Sequence, residues 1–202
     1  MTRGLLLDLD DTLYEYAPAE RAARGALVTL IATETTLSSA DIADAWASAR
    51  DAVHARLGER GSSHSRLLYL SELAHALGLP RALASARRWE RAYWSTFLNP
   101  ARLRDGAREL CAWWRERGGR VAIVTDLTLE VQLWKLEHFN LLDAIDALAT
   151  SEEVPWDKPA PDVLLLAIER LGVRRCDCVM VGDSARKDGG AAATLEIPFV
   201  LV

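Results

Sequence analysis

Three stretches of this chain close an apolar run with acids or hydroxyls: GLLLDLD at 4–10, GGRVAIVTD at 118–126 and CDCVMVGDS at 176–184. Short continuous apolar runs, rather than alternating ones, predict strands buried on both faces, as in a parallel sheet. AIDALATS at 144–151 and PFVLV at 198–202 fit the same rule more weakly. Helical patterns separate them. Asp105 can cap a helix carrying Leu110, Trp113 and Trp114, which Gly118 can end. A second helix is expected from Leu129 to Phe139, with Val131, Leu133, Trp134, Leu136 and Phe139 as its buried face. A third follows Pro161 and ends near Gly172, carrying Val163, Leu164, Leu166, Ala167 and Leu171. Strands alternating with helices predict an α/β fold with a doubly wound parallel sheet.

Residues 16–100 depart from that grammar, for no strand pattern occurs there. The region is rich in Ala, Leu and Arg, with breaks at Thr36–Ser39, Gly58–Ser63 and Gly78–Pro80. Trp46, Val53 and Leu57 fall on one helical face, and Trp89, Tyr93 and Phe97 on another. The expectation is a four-helix domain inserted after the first strand, with residues 1–15 and 101–202 forming the α/β core.

Composition excludes several classes. The net charge of −5 leaves no basic footprint for nucleic acid. The apolar run after Met1 is too short for a signal peptide, and none has the length of a membrane span. Three cysteines do not make a disulfide framework, so a reducing, cytoplasmic setting is expected. Cys176 and Cys178 read as buried thiols at the start of a strand rather than as metal ligands.

The chemistry lies where the strands end. In open parallel sheets, ligands bind outside the carboxyl ends of the strands. The three best strands deliver Asp8 and Asp10, then Thr125, then Asp183 and Asp188 to that edge. Carboxylates so crowded raise one another's pKa unless a cation intervenes. Magnesium suits an all-oxygen set and keeps room for water and phosphate. Lys158, in the turn WDKPAP after the fourth strand pattern, can reach the same edge. A lysine, a hydroxyl and a magnesium ion together form a receptor for a phosphate dianion. Gly182 allows the tight turn that brings Asp183 close.

The ordered set DLDDT, VTD, DKPAPD and GDSARKD resembles the haloacid dehalogenase superfamily of phosphohydrolases, and the helical insertion is similar to its C1-type cap. The resemblance implies a Rossmann-like core and a Mg2+-dependent phosphatase acting on a small phosphorylated metabolite. It implies Asp8 as the nucleophile forming an aspartyl-phosphate, and Asp10 as general acid and base. It implies Thr12 and Thr125 as supporting and phosphate-holding hydroxyls, and Lys158 as the neutralising cation. Asp8, Asp10 (through its backbone carbonyl), Asp183 and Asp188 would form the metal set. Asp11 has no role in the pattern and is expected to point away, where it can cap a turn. Asp126 stands where the family usually has Asn, adding an acid at the substrate edge, and the chain stops at PFVLV, where relatives usually continue.

Rival readings share the fold. A 2-haloacid dehalogenase lacks the second aspartate and magnesium, so Asp10 and Asp183 argue against it. A phosphosugar mutase keeps every motif and needs a bisphosphate primer. A non-catalytic binder would have lost a catalytic residue, and none is lost. The six arginines within residues 81–104 read as a solvated face, and Trp46, Trp89, Trp113 and Trp134 mostly as packing. Trp156 is the tryptophan that could border the site. His54, His64 and His75 show no metal-ligand spacing, and Tyr14, Glu15 and Tyr16 are candidate substrate contacts.

Overall fold

The computed structural model describes residues 3–202, which separate into two compact units. One comprises the chain up to Glu15, Arg60–Ser62 and Arg102–Val202; the other is Tyr16–Glu59 with Ser63–Ala101.

The first unit is built on a five-stranded sheet: β1 (Gly4–Leu7), β2 (Arg120–Thr125), β3 (Ala147–Thr150), β4 (Cys178–Gly182) and β5 (Phe199–Leu201). All neighbours pair in parallel, in the order β3-β2-β1-β4-β5. Every residue of β1 is buried, as its unbroken apolar run requires. Leu6 lies in register with Ala122 on one side and Met180 on the other. The chain leaves β1 to one side for β2 and returns on the other as β4, so the strand order reverses at β1. That reversal opens a crevice at the carboxyl edge.

Helices α5 (Ala107–Glu116), α6 (Leu129–His138), α7 (Asp162–Leu171) and α8 (Gly190–Thr194) complete this unit. Val163, Leu164, Ala167 and Leu171 of α7 join Leu6, Ala122, Val124 and Met180 in one apolar cluster, as the sequence pattern implied. Two helices turn differently from expectation. Helix α5 is entered from Gly106 at φ 84°, not capped by Asp105, and buries Ala107 and Cys111. Small side chains let it approach the sheet closely, while Trp113 is 49% exposed under the Arg117 guanidinium, 4.2 Å from its ring centre. Helix α6 buries Val131, Gln132, Lys135 and Leu136, and leaves Leu133 exposed. Cys178 is buried, but Cys176 is exposed in the turn before β4.

Segment Arg60–Ser62, which the sequence pattern put inside the helical insertion, groups with the sheet. Gly61 lies so close to the backbone of Ser151 and Glu152 that a Cβ would stand 2.3 Å from the Glu152 nitrogen.

The second unit holds α1 (Tyr16–Glu34), α2 (Ser39–Leu57), α3 (Arg66–Ala76) and α4 (Ala82–Leu98). A capping box between Ser38 and Asp41 starts α2, and the Ser65 hydroxyl accepts from the Leu68 N–H to start α3. Trp89, Tyr93 and Phe97 of α4 are fully buried, and Trp46 stacks on Tyr93 with ring centres 6.0 Å apart. No helix among the described residues is long and apolar enough to cross a membrane.

Glu34, at the end of α1, accepts from Arg88 Nε (2.9 Å) and Trp89 Nε1 (2.8 Å) of α4. The Arg88 hydrogen bond, with that of Trp89, holds the Glu34 pKa below its usual value of 4.5. A depressed carboxyl pKa contributes stability above the unfolded pKa and loses it as pH falls through the folded one. Glu34→Gln is therefore expected to lower the melting temperature at pH 7, with the difference from the parent protein shrinking as pH falls below the usual carboxylate value, as thermal melts across that range would read.

Candidate active site

Asp8 follows β1 directly, and its N–H continues the sheet by donating to Val181 O at 3.0 Å. The register fixes its side chain at the carboxyl edge, where it is 6% exposed. Lys158 Nζ donates to Asp8 Oδ1 (2.7 Å), Asp188 Oδ1 (2.7 Å) and Val124 O (3.1 Å). Thr12 Oγ1 donates to the other Asp8 oxygen at 2.8 Å and lies 3.3 Å from Asp183 Oδ1. Burial pushes the Asp8 pKa well above the ordinary carboxylate range; Lys158 opposes that rise, while Asp188 and Asp10 add to it. Burial also works against the charge on Lys158, but Asp8, Asp126 and Asp188 together hold its pKa above the ordinary lysine value. The ammonium therefore stays charged between two buried carboxylates.

Asp188 is fully buried in the π-turn Ala185–Gly189, where its Oδ2 accepts from Ser184 N at 3.1 Å. It is not an exposed acid at a helix start. Gly182 is required beneath it, because a Cβ there would stand 2.3 Å from Asp188 Oδ2 and 2.9 Å from its Cβ. Asp183 follows β4 and its N–H donates to Thr12 Oγ1 at 3.1 Å. One oxygen from each of Asp8, Asp183 and Asp188 lies within 4.8 Å of the others.

The carboxylate of Asp10 stands apart from that trio. Lys135 Nζ donates to both its oxygens, at 2.7 and 2.8 Å, and the Tyr14 hydroxyl donates to Oδ1 at 2.5 Å. Asp11 adopts a left-handed backbone, φ 63°, which turns the loop between Asp10 and Thr12. Thr125 ends β2 fully buried, and its hydroxyl accepts from Gln132 Nε2 at 2.7 Å. The Asp126 carboxylate accepts from Lys187 Nζ (2.7 Å) and the Lys158 N–H (3.2 Å), so the unusual acid carries its own counter-ion. Trp156 is 49% exposed, with Arg60 above its ring.

Lys135, Lys187, Gln132 and Tyr14 complete this arrangement, and sequence reasoning assigned the first three no role. The available signal was two long polar residues, three apart on α6, flanked by Val131 and Leu136 just after VTD. By hydropathy alone, Leu133 and Trp134 make the better inward-facing pair.

Charge counting tests whether a metal belongs here. Asp8, Asp10, Asp126, Asp183 and Asp188 face three ammonium groups, Lys135, Lys158 and Lys187, an excess of two negative charges. No lysine or arginine pairs with Asp183 among the described ion pairs, and burial and Asp188 push its pKa up. One divalent cation on the oxygen trio would cancel that excess, so the donor set fits a hard ion.

The haloacid dehalogenase-like hydrolase family model matches residues 2–195. The chain belongs to that family. Ribulose-1,5-bisphosphate 5-phosphatase of Halopiger xanaduensis is 35% identical over 100% of this chain and 84% of its own length. Glyceraldehyde 3-phosphate phosphatase of Methanopyrus kandleri is 30% identical over 93% of this chain and 78% of its own. Among solved structures, a 2-haloacid dehalogenase from Pseudomonas syringae pv. Tomato superposes with a TM-score of 0.81 at 18% identity, covering 100% of this chain and 86% of that one. At that identity the likeness speaks for the fold alone.

Gly182→Ala is expected to drive Asp188 from its place beneath Lys158. The overpacking should cost about 1–3 kcal/mol, read as a lower denaturant midpoint with unchanged slope.

Proposed function

We propose that this hydrolase is a magnesium-dependent phosphomonoesterase of small phosphorylated metabolites, working in the cytoplasm through an aspartyl-phosphate on Asp8. The observation that carries this reading is the division of labour between two aspartates two residues apart. Asp8 is buried between Lys158 and Thr12, whereas Asp10 is held separately by Lys135 and Tyr14. A nucleophile and a proton carrier need those different surroundings. The relatives support it, since the two described above are named as phosphatases of small phosphorylated compounds. The first is named for a sugar bisphosphate, so a sugar phosphate is the substrate class to try first.

In the first step an Asp8 carboxylate oxygen attacks phosphorus, the ester P–O bond breaks, and Asp10 gives a proton to the departing alkoxide. In the second, water attacks the same phosphorus, Asp10 takes a proton from it, and the Asp8–phosphorus bond breaks to free inorganic phosphate. Lys158 offsets negative charge beside Asp8 throughout. Gln132 fills a lone pair of Thr125 Oγ1, whose proton is donated to Asp126 O at 3.1 Å and would have to turn from that carbonyl to reach a phosphate oxygen. Lys135 and Tyr14 fix the Asp10 carboxylate in one orientation. Asp8, Asp183 and Asp188, with the Asp10 carbonyl, would hold magnesium, which supplies neutralisation of the phosphoryl oxygens when bound. The helical unit is assigned as a C1-type cap.

Phosphate release from p-nitrophenyl phosphate and from a set of sugar phosphates tests the reading. Release is expected with magnesium and is expected to vanish with EDTA or in Asp8→Asn. Turnover that persists in Asp8→Asn would sink it, and activity appearing only with a bisphosphate primer would indicate a mutase. Lys135→Met is expected to lower kcat about 10²-fold, the scale of general acid–base assistance, with a much smaller change in KM.

A further inference from the structure

The helical unit contains a cavity of about 500 Å3, bounded by α1, α2 and the start of α3. Two of its arginines have acids of their own. Arg24 pairs with Glu20 at 3.6 Å and Arg50 with Asp51 at 2.9 Å. Arg66, at the first position of α3, does not: none of the ion pairs among the described residues includes it. Its guanidinium donates only to neutral oxygens, those of His64 O (2.7 Å), Tyr93 Oη (3.5 Å) and the Tyr16 hydroxyl. The rings of Tyr69, Tyr93 and Trp94 surround it with centres 5.6–5.8 Å from the guanidinium carbon.

Guanidinium does not lose its proton in a protein, so the charge persists among aromatic faces and neutral acceptors. The neighbouring tyrosines offset the burial and hold the Arg66 pKa above the ordinary arginine value, but no carboxylate among the described ion pairs neutralises the charge, which leaves it able to take an anion. The N-terminal end of α3 adds a further positive contribution at the same point. His54, also on the wall, reports the field: burial first, then His64, Arg50 and Arg66, hold its pKa below the usual imidazole value. The volume falls in the range of metabolite pockets and exceeds what a bare anion needs. Trp46, Tyr16 and Tyr69 offer aromatic faces for the remainder of a ligand.

We propose that this cavity is a binding site for a phosphorylated metabolite, with Arg66 holding its phosphate group. The site belongs to the helical unit alone and does not rest on the reading of the Asp8 site. Hydrogen–deuterium exchange of the full chain, in EDTA with and without inorganic phosphate, separates the two sites by position. Phosphate is expected to slow exchange around residues 16–24, 46–54 and 64–69. Arg66→Gln is expected to weaken that protection at least about tenfold in phosphate concentration, the scale of a charge-assisted hydrogen bond. Arg66→Lys should lose less. Absence of protection in the parent protein at saturating phosphate overturns the proposal, as does equal protection in folded Arg66→Gln. Should Arg66→Gln fail to fold, the parent protein and Arg66→Lys decide. Equal protection by acetate overturns the assignment to phosphate.

Discussion

One ammonium group organises the edge of the sheet. Lys158 Nζ sits 2.7 Å from Asp8 and 2.7 Å from Asp188, two carboxylates that arrive from opposite ends of the sequence and are both buried. That cation opposes the rise that burial and the neighbouring Asp188 impose on the Asp8 pKa. The pair of contacts depends on the strand order. Adjacent β1 and β4 place Asp8 near the turn that carries Asp188, and the chain after β3 supplies the lysine.

Around that centre the remaining charges are assigned one by one. Asp10 has Lys135, Asp126 has Lys187, and Asp183 is left without a cation among the described ion pairs. Separate pairing keeps the second aspartate's environment distinct from the first, although only one residue lies between them. It also explains how Asp126 is accommodated where an uncharged amide is usual in the family, since Lys187 cancels the added charge in place.

The strands were legible because a strand buried on both faces writes itself as an unbroken apolar run, and β1 through β4 have little freedom to be anything else. The acids were legible because they come directly after those runs. Helix faces were less so. An apolar stripe predicts which side is buried only when the buried side is apolar, and α6 turns Gln132 and Lys135 inward to meet Thr125 and Asp10. Trp113 misled for the opposite reason: its ring lies on the surface under Arg117, while Ala107 and Cys111 are the residues small enough for α5 to approach the sheet. Arg66 gave no signal at all, since one arginine in an arginine-rich region reads as solvated.

The sequence by itself determined the fold class, the strand runs and the order in which aspartates, threonine and lysine meet the sheet edge. Those properties are local: they depend on the hydrophobicity of a few consecutive residues and on the polar residues that end each run. Only the tertiary structure decided which cation serves which acid, which face of α6 turns inward, and that Arg66 has no carboxylate partner among the described ion pairs. Partners such as Lys135 and Asp10 are 125 residues apart in the chain, and the distance between such groups is set by packing rather than by sequence pattern.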